Sequence, residues 1–221
     1  MKQRPITLVS FDMDGTLIRN TNSMELVGGL NGHAKEINDV FARIKGPEGL
    51  DWVAGDAIMA EYMRGVKISD IDGWFESHAQ PIGGLEQLLI SLYQNHMEAI
   101  LVTSGPKEVA ECFLRRFPFQ AVYGSDYEQQ DGVLTGKIAR HIMDFGGKYG
   151  CIETHCRLRG LEPSHTIVIG DSYSDIEVFQ KCPHSIALNG DERLRPFACR
   201  EYRTEDIRNL LPQLLRWNEE T

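Results

Sequence analysis

Two short apolar runs far apart in the chain, Ile6-Thr7-Leu8-Val9-Ser10-Phe11 and Thr166-Ile167-Val168-Ile169, each end at an aspartate: Asp12 in the first case and, after Gly170, Asp171 in the second. Both runs are β-branched and apolar with little alternation, the composition of interior strands covered on two faces. Such strands belong to parallel sheets, whose ligands bind in the crevice beyond the carboxyl ends. Gly15 permits a sharp exit from the first strand, so Asp12 and Asp14 are predicted to stand where a buried strand opens into a loop that faces a site.

The rest of the chain supports that frame. From about Arg19 to Gln80 it reads as mostly helical, with turn breaks at Gly28-Gly29, Gly46-Pro47 and Asp72-Gly73 and no convincing strand. Leu85, Leu88, Leu89 and Leu92 recur at helical spacing, and Ala99-Ile100-Leu101-Val102 reads as a second interior strand. A helix from Pro106 to about Phe117, a strand from Phe119 to Tyr123 and a hairpin at Asp131-Gly132 follow. A helix over about Gly147 to Arg159, the strand before Asp171, a helix through Ile176 and Phe179, a strand near Ser185 to Leu188 and a terminal helix over about Glu205 to Trp217 complete an alternating α/β order.

Composition limits the function classes. With 221 residues, 42% of them hydrophobic, the chain can bury a core without staples. Thirty-two acidic against 23 basic residues leave a net charge of -9, which repels polyanions and argues against a nucleic-acid partner. Five cysteines at unrelated spacings suggest neither a disulfide framework nor a zinc site and favour a reducing, cytoplasmic setting. Cys151 and Cys156, with His155 on the same predicted helix, are expected to be packing residues rather than ligands. The start Met1-Lys2-Gln3-Arg4-Pro5 leads straight into the strand, and no stretch has the length of a membrane span.

Four segments carry polar residues just beyond predicted strands or at a helix start: Asp12 and Asp14, Thr103-Ser104-Gly105, Lys148, and Gly170-Asp171 with Asp175. In order and character they resemble the haloacid dehalogenase superfamily of phosphohydrolases. Phe11-Asp12-Met13-Asp14-Gly15-Thr16-Leu17 and Lys148 upstream of Gly170-Asp171-Ser172-Tyr173-Ser174-Asp175 carry the likeness, and the helical insertion places the chain nearest the phosphoserine phosphatase-like subfamily. The resemblance implies a Rossmann-like α/β core of residues 1–18 and 81–221, with residues 19–80 forming a helical cap inserted after the first strand.

It also implies a chemistry. Asp12 and Asp171, with the backbone carbonyl of Asp14, would hold Mg²⁺, a hard ion that favours oxygen ligands. Lys148, the Ser104 hydroxyl and amides near Gly105 would bind the phosphoryl oxygens, with Thr103 the competing hydroxyl. Asp12 would attack phosphorus to give an aspartyl-phosphate, while Asp14 protonates the leaving alkoxide and then deprotonates water. Asp175 would orient Lys148 or support the metal's surroundings. Dehalogenases of the superfamily lack the second aspartate, and the phosphorylating ion pumps carry threonine there and are larger membrane proteins.

The expected substrate is a small phosphorylated metabolite. In phosphoserine phosphatases a glutamate nine residues after the nucleophile meets the substrate amine, whereas this chain has Thr21, with Glu25 one helical turn further on. That departure predicts a substrate other than phosphoserine. Ser174 stands where the family often has asparagine, and the resemblance matches Arg64, late in the cap, to an arginine that grips a substrate carboxylate, with a solvated surface arginine as the other reading. Trp52, Met59 and Met63 recur at near-helical spacing, which predicts cap core, with the roof of the site as the other reading. Phosphotransfer to an alcohol and noncatalytic phosphate binding are the alternative functions, and nothing in the sequence sets the oligomeric state.

Overall fold

The computed structural model describes residues 6–45 and 49–219. The expected turn at Gly46-Pro47 and the basic start lie outside them. In chain order the elements are β1 (Leu8–Phe11), α1 (Ser23–Gly29), α2 (Ala34–Lys45), α3 (Trp52–Tyr62), α4 (Ile68–His78), α5 (Leu85–Gln94), β2 (Glu98–Pro106) and α6 (Lys107–Arg116). Then come β3 (Ala121–Gln130), β4 (Val133–Arg140), α7 (Gly147–Arg159), β5 (Thr166–Gly170), α8 (Ile176–Lys181), β6 (His184–Leu188), β7 (Arg200–Tyr202) and α9 (Leu211–Glu219).

The strands form one sheet in the order β4-β3-β2-β1-β5-β6-β7, parallel except for the β3–β4 hairpin. β1 sits at its centre because every one of its residues is buried and both of its edges find parallel partners. Side chains alternate between faces. Val9, Phe11, Leu101, Ile167 and Ile169 pack on one face with α5, α6 and α9, while Leu8, Ile100, Val102 and Val168 pack on the other with α7 and α8. The register pairs Phe11 with Leu101 on one side and with Ile169 on the other, so the chain leaves β1 and β5 at the same edge of the sheet. From β1 the strand order proceeds one way through β2 and β3 and the other way through β5 and β6, and the crevice opens where the two directions part.

Four boundaries differ from the sequence expectation. The third strand begins at Ala121 rather than Phe119, because the Phe119 ring packs edge-on against Phe11 and Phe113, and it runs on to Gln130 as one arm of the hairpin at Asp131-Gly132. β2 extends to Pro106, pairing it with Ser125, so α6 starts one residue later. β7 is an unexpected edge strand of three residues, too short to leave a pattern. The terminal helix is split into a 3-10 turn at Ile207–Leu210 and α9, since Pro212 has no N–H to continue an α-helix from Glu205 and is tolerated only in a first turn.

Residues 19–80 contain α1 to α4 and no strand among those described. Met59 and Met63 are fully buried in the core that these helices share with the sheet, whereas Trp52 is half-buried at a cavity wall. No helix is long and apolar enough to cross a membrane, among the described residues.

Candidate active site

A cavity of about 320 Å³ lies between the carboxyl ends of β1, β2 and β5 and helices α1 to α3. Asp12, Asp14, Gly15, Ser104, Gly105 and Asp171 line its floor, so the structure brings together residues up to 159 positions apart. Asp12 follows β1 and its amide donates to the Ile169 carbonyl of β5 at 2.8 Å, which ties the two strand ends together. Gly15, with φ of +84°, lets Asp171 press against the loop, where an added Cβ would strike the Asp171 carboxylate. Gly105 has the same function on the β2 side, because a side chain there would strike the Ser23 hydroxyl.

Lys148 supplies the positive charge at the centre. It sits in the first turn of α7, buried, and its Nζ donates to Asp12 Oδ1 and to Asp175 Oδ1, each at 2.6 Å. The Asp175 Oδ2 accepts from the Asp171 amide at 3.0 Å and the Ser172 amide at 3.2 Å. Asp175 is thereby held between those amides and the Lys148 ammonium, which it shares with Asp12. The flanking carboxylates hold the Lys148 ammonium well above its ordinary proton affinity against the cost of burial, so it is a permanent cation.

Three carboxylates crowd this point, and Asp12, Asp171 and Asp175 each offer an oxygen within 4.8 Å of the others. Burial raises the Asp12 carboxyl to about 7 despite the opposing pull of Lys148. Burial first, then the charge of Asp12, raises Asp171 well above the usual carboxylate range. Thr16 Oγ1 stands 3.3 Å from Asp12 Oδ2 and 3.5 Å from Asp171 Oδ1, so these two oxygens face one point. Both Asp175 oxygens are already taken by Lys148 and backbone amides, and no described residue donates to the Asp14 carbonyl. Hard oxygen donors with one lysine to offset them fit a divalent cation held by Asp12 and Asp171, with the Asp14 carbonyl at hand.

Asp14 is held apart from this cluster by the start of α1. Its Oδ1 accepts from the Ser23 amide at 2.7 Å and its Oδ2 from the Ser23 hydroxyl at 2.5 Å. Burial raises its carboxyl above the usual range, with both Ser23 bonds opposing the rise. Thr103 and Ser104 both line the cavity; the Ser104 carbonyl accepts from the Ser125 hydroxyl, and the Thr103 hydroxyl oxygen accepts the Gly105 amide at 3.0 Å.

Arg64 requires correction. Asn31 grips its carbonyl at 2.7 Å, the chain turns outward through Gly65, and the exposed guanidinium pairs with Glu61 at 2.5 Å beside the β3–β4 hairpin. It lies outside the cavity, so it cannot grip a substrate there. Glu25 is also absent from the cavity wall: Thr21 Oγ1 and Asn38 Nδ2 donate to its carboxylate, both at 2.9 Å, and Asn22 Nδ2 at 3.4 Å. Cys151 and Cys156 are buried packing residues, and His155 bridges Tyr123 and Glu98 rather than joining them in a cluster.

Two participants were missed in the sequence. Ser23 left a usable signal, since Asn22 followed by Glu25 marks a helix start, and the Asn22 side chain indeed accepts the Glu25 amide. Asp56 is the lone acid in the apolar stretch Trp52–Ala60, a pattern that flags a buried charge needing a partner. That partner is His141, whose Nε2 lies 3.0 Å from Asp56 Oδ2.

The family model of haloacid dehalogenase-like hydrolases matches residues 9–180. The chain belongs to that family. Among similar curated proteins, the phosphoserine phosphatase SerB1 of Mycobacterium tuberculosis is 26% identical over 216 residues, covering 89% of this chain and 70% of the relative. A phosphoserine phosphatase of Archaeoglobus fulgidus is 23% identical over 192 residues, covering 86% of this chain and 55% of its own length. A solved phospho-aspartyl intermediate analogue of phosphoserine phosphatase superposes with a TM-score of 0.82 at 19% identity, covering 95% of this chain and 99% of that one. A substrate-bound phosphoserine phosphatase complex gives 0.82 at 18% identity over 96% and 99%. At that identity the structures establish the shared fold, and the hydrolase assignment follows from the family.

Proposed function

We propose that the chain, a haloacid dehalogenase-like phosphatase, is a Mg²⁺-dependent phosphomonoesterase that works through a phosphoryl group carried on Asp12. The observation that carries this reading is the buried triad in which Lys148 bridges Asp12 and Asp175 beside Asp171, with Asp14 clamped separately by Ser23 at the same cavity. A mere anion site has no use for four carboxylates. A nucleophile, an acid and a cation site use all of them.

Asp12 and Asp171, with the Asp14 carbonyl, would hold the ion, which when bound neutralises charge on the carboxylates and on a phosphate dianion. Lys148 and the Ser104 hydroxyl then hold phosphoryl oxygens in line with Asp12. A carboxylate oxygen of Asp12 forms a bond to phosphorus as the bond from phosphorus to the leaving oxygen breaks, and the Asp14 carboxyl gives its proton to that oxygen. The Asp14 carboxylate next takes a proton from water, whose oxygen bonds to phosphorus while the bond to Asp12 breaks, restoring both aspartates and releasing inorganic phosphate. The raised proton affinity of Asp14 supports its starting the cycle as an acid.

We assign residues 19–80 to a cap over a core of residues 1–18 and 81–221, with α1 supplying the Ser23 clamp and α2 and α3 walling the leaving-group end. The test is hydrolysis of 4-nitrophenyl phosphate with Mg²⁺, expected to vanish with EDTA and in Asp12→Asn. Turnover that survives EDTA, or that persists in Asp12→Asn, would overturn the proposal.

A further inference from the structure

The leaving-group end of the cavity carries its own charge pattern. Asp56 and Trp52 stand one helical turn apart on α3 and so share a face, and both line the cavity. Both also meet His141, Asp56 through the 3.0 Å hydrogen bond and Trp52 with its ring centroid 4.9 Å from the imidazole. The His141 Nδ1 accepts the Met143 amide at 3.3 Å, which leaves Nε2–H as the donor to Asp56. Asp56 is 7% exposed, and His141 is its only hydrogen-bond partner among the described residues. A buried carboxylate with one hydrogen-bond donor keeps unused acceptor capacity, and burial raises its proton affinity, so a cation in the cavity would stabilise its charged form.

What surrounds it gives that charge a direction. Apart from Lys148, which stands behind Asp12 at the phosphoryl end, no lysine, arginine or histidine is among the described residues at the cavity. Arg64 pairs with Glu61 at the surface and three donors satisfy Glu25, so neither side chain is among those lining the cavity. We infer that the leaving group is a small amino alcohol bearing an ammonium and no carboxylate, and that Asp56, oriented by His141, is the group that reads the ammonium. The inference rests on the phosphomonoesterase reading above.

The rest of the wall suits such a ligand. Trp52 and Phe41 offer aromatic surface to a cation, and Thr21 and Asn38 complete a polar side. A carboxylate on the leaving group would instead face Asp56 with no cation beside it, a like-charge contact.

Four esters test this on the intact enzyme with Mg²⁺: 2-aminoethyl phosphate, 2-hydroxyethyl phosphate, phosphoserine and 4-nitrophenyl phosphate. The expected kcat/KM for 2-aminoethyl phosphate exceeds that for the hydroxyl isostere by ~10 to 100-fold, the worth of one hydrogen bond to a charged group. Phosphoserine is expected to fall below 2-aminoethyl phosphate. Asp56→Asn should bring the amine-to-hydroxyl ratio to about one, within the scatter of such difference measurements. Glu25→Gln should keep the preference. A carboxylate that only tethered the cap would change all esters alike and leave the ratio intact. Turnover of 4-nitrophenyl phosphate without any amine preference, a preference that survives Asp56→Asn, or one lost in Glu25→Gln overturns this inference alone. Should Asp56→Asn fail to fold, the wild-type panel still decides. No turnover of any ester overturns the phosphomonoesterase reading, and this inference with it.

Discussion

Lys148→Met removes the cation that Asp12 and Asp175 share at 2.6 Å each, inside a site where all three groups are less than a tenth exposed. Breaking a buried pair by removing one partner costs about 3–5 kcal/mol, because the remaining charge is left desolvated and unpaired. Here two carboxylates lose their partner, and Asp12 already binds its proton at about 7 with the lysine present. Without it Asp12 rises further, so the native variant holds more protons than the unfolded chain over a wider range. A carboxyl whose folded pKa is raised gives stability at low pH that is lost as pH climbs through the folded value. The penalty measured by urea unfolding in EDTA should therefore be largest at pH 7.5 and shrink toward pH 5.5, by up to ~1.4 kcal/mol per pH unit for each extra proton held. With 4-nitrophenyl phosphate and Mg²⁺, kcat should fall by about 10² to 10³-fold, the usual cost of one oriented donor to developing charge. The acid limb of the pH profile should move upward, since protonated Asp12 is no nucleophile. A variant with near wild-type kcat, or with a destabilisation identical at both pH values, would refute the reasoning.

Other consequences can be checked independently. Asp14→Asn should lower kcat/KM, which reports the step that expels the leaving group, by ~10² to 10⁴-fold for an alkyl phosphate and by much less for 4-nitrophenyl phosphate, because that leaving group departs without a proton; equal losses in kcat/KM would contradict the acid role. Burial raises both Asp12 and Asp171, so metal-free protein should lose stability as pH rises from ordinary carboxylate values through 7. Mg²⁺ should accordingly raise Tm more at pH 7.5 than at pH 5.5, a difference that scanning calorimetry measures and that would be absent if the cluster bound no cation. Gly105→Ala drives a methyl into the Ser23 hydroxyl that clamps Asp14 and should cost roughly tenfold or more in kcat at retained fold, as read by circular dichroism and rates together. Arg64→Ala should change kcat/KM by no more than about twofold for any small phosphoester, since its surface pair with Glu61 lies away from the cavity.

The floor of the site was legible because strand ends advertise themselves locally. The apolar runs before Asp12 and Asp171, with Gly15 just after Asp12 and Asp14, need only strand geometry to be placed at one sheet edge, and the observed register puts them there. Lys148 was legible by its offset from Asp171, although the double contact that fixes it depends on Asp175, 27 residues on. The roof was not legible. Asp56 and His141 are 85 residues apart, and their pairing depends on how α3 docks against the segment after β4, which no local pattern encodes. For Arg64 the resemblance offered a carboxylate grip and the residue itself a solvated surface arginine; the turn at Gly65 against the β3–β4 hairpin, whose length was underestimated, directs it outward.

Direct detection of phosphorylated Asp12 bears most closely on the mechanism. Enzyme mixed with Mg²⁺ and excess 4-nitrophenyl phosphate, quenched in acid within the first turnover and digested, should yield a phosphorylated peptide containing Asp12, more of it in Asp14→Asn where release to water is slowed, and none in Asp12→Asn. Inorganic phosphate released at the same rate with no phosphoryl group found on Asp12, or with the group on another residue, would contradict the account.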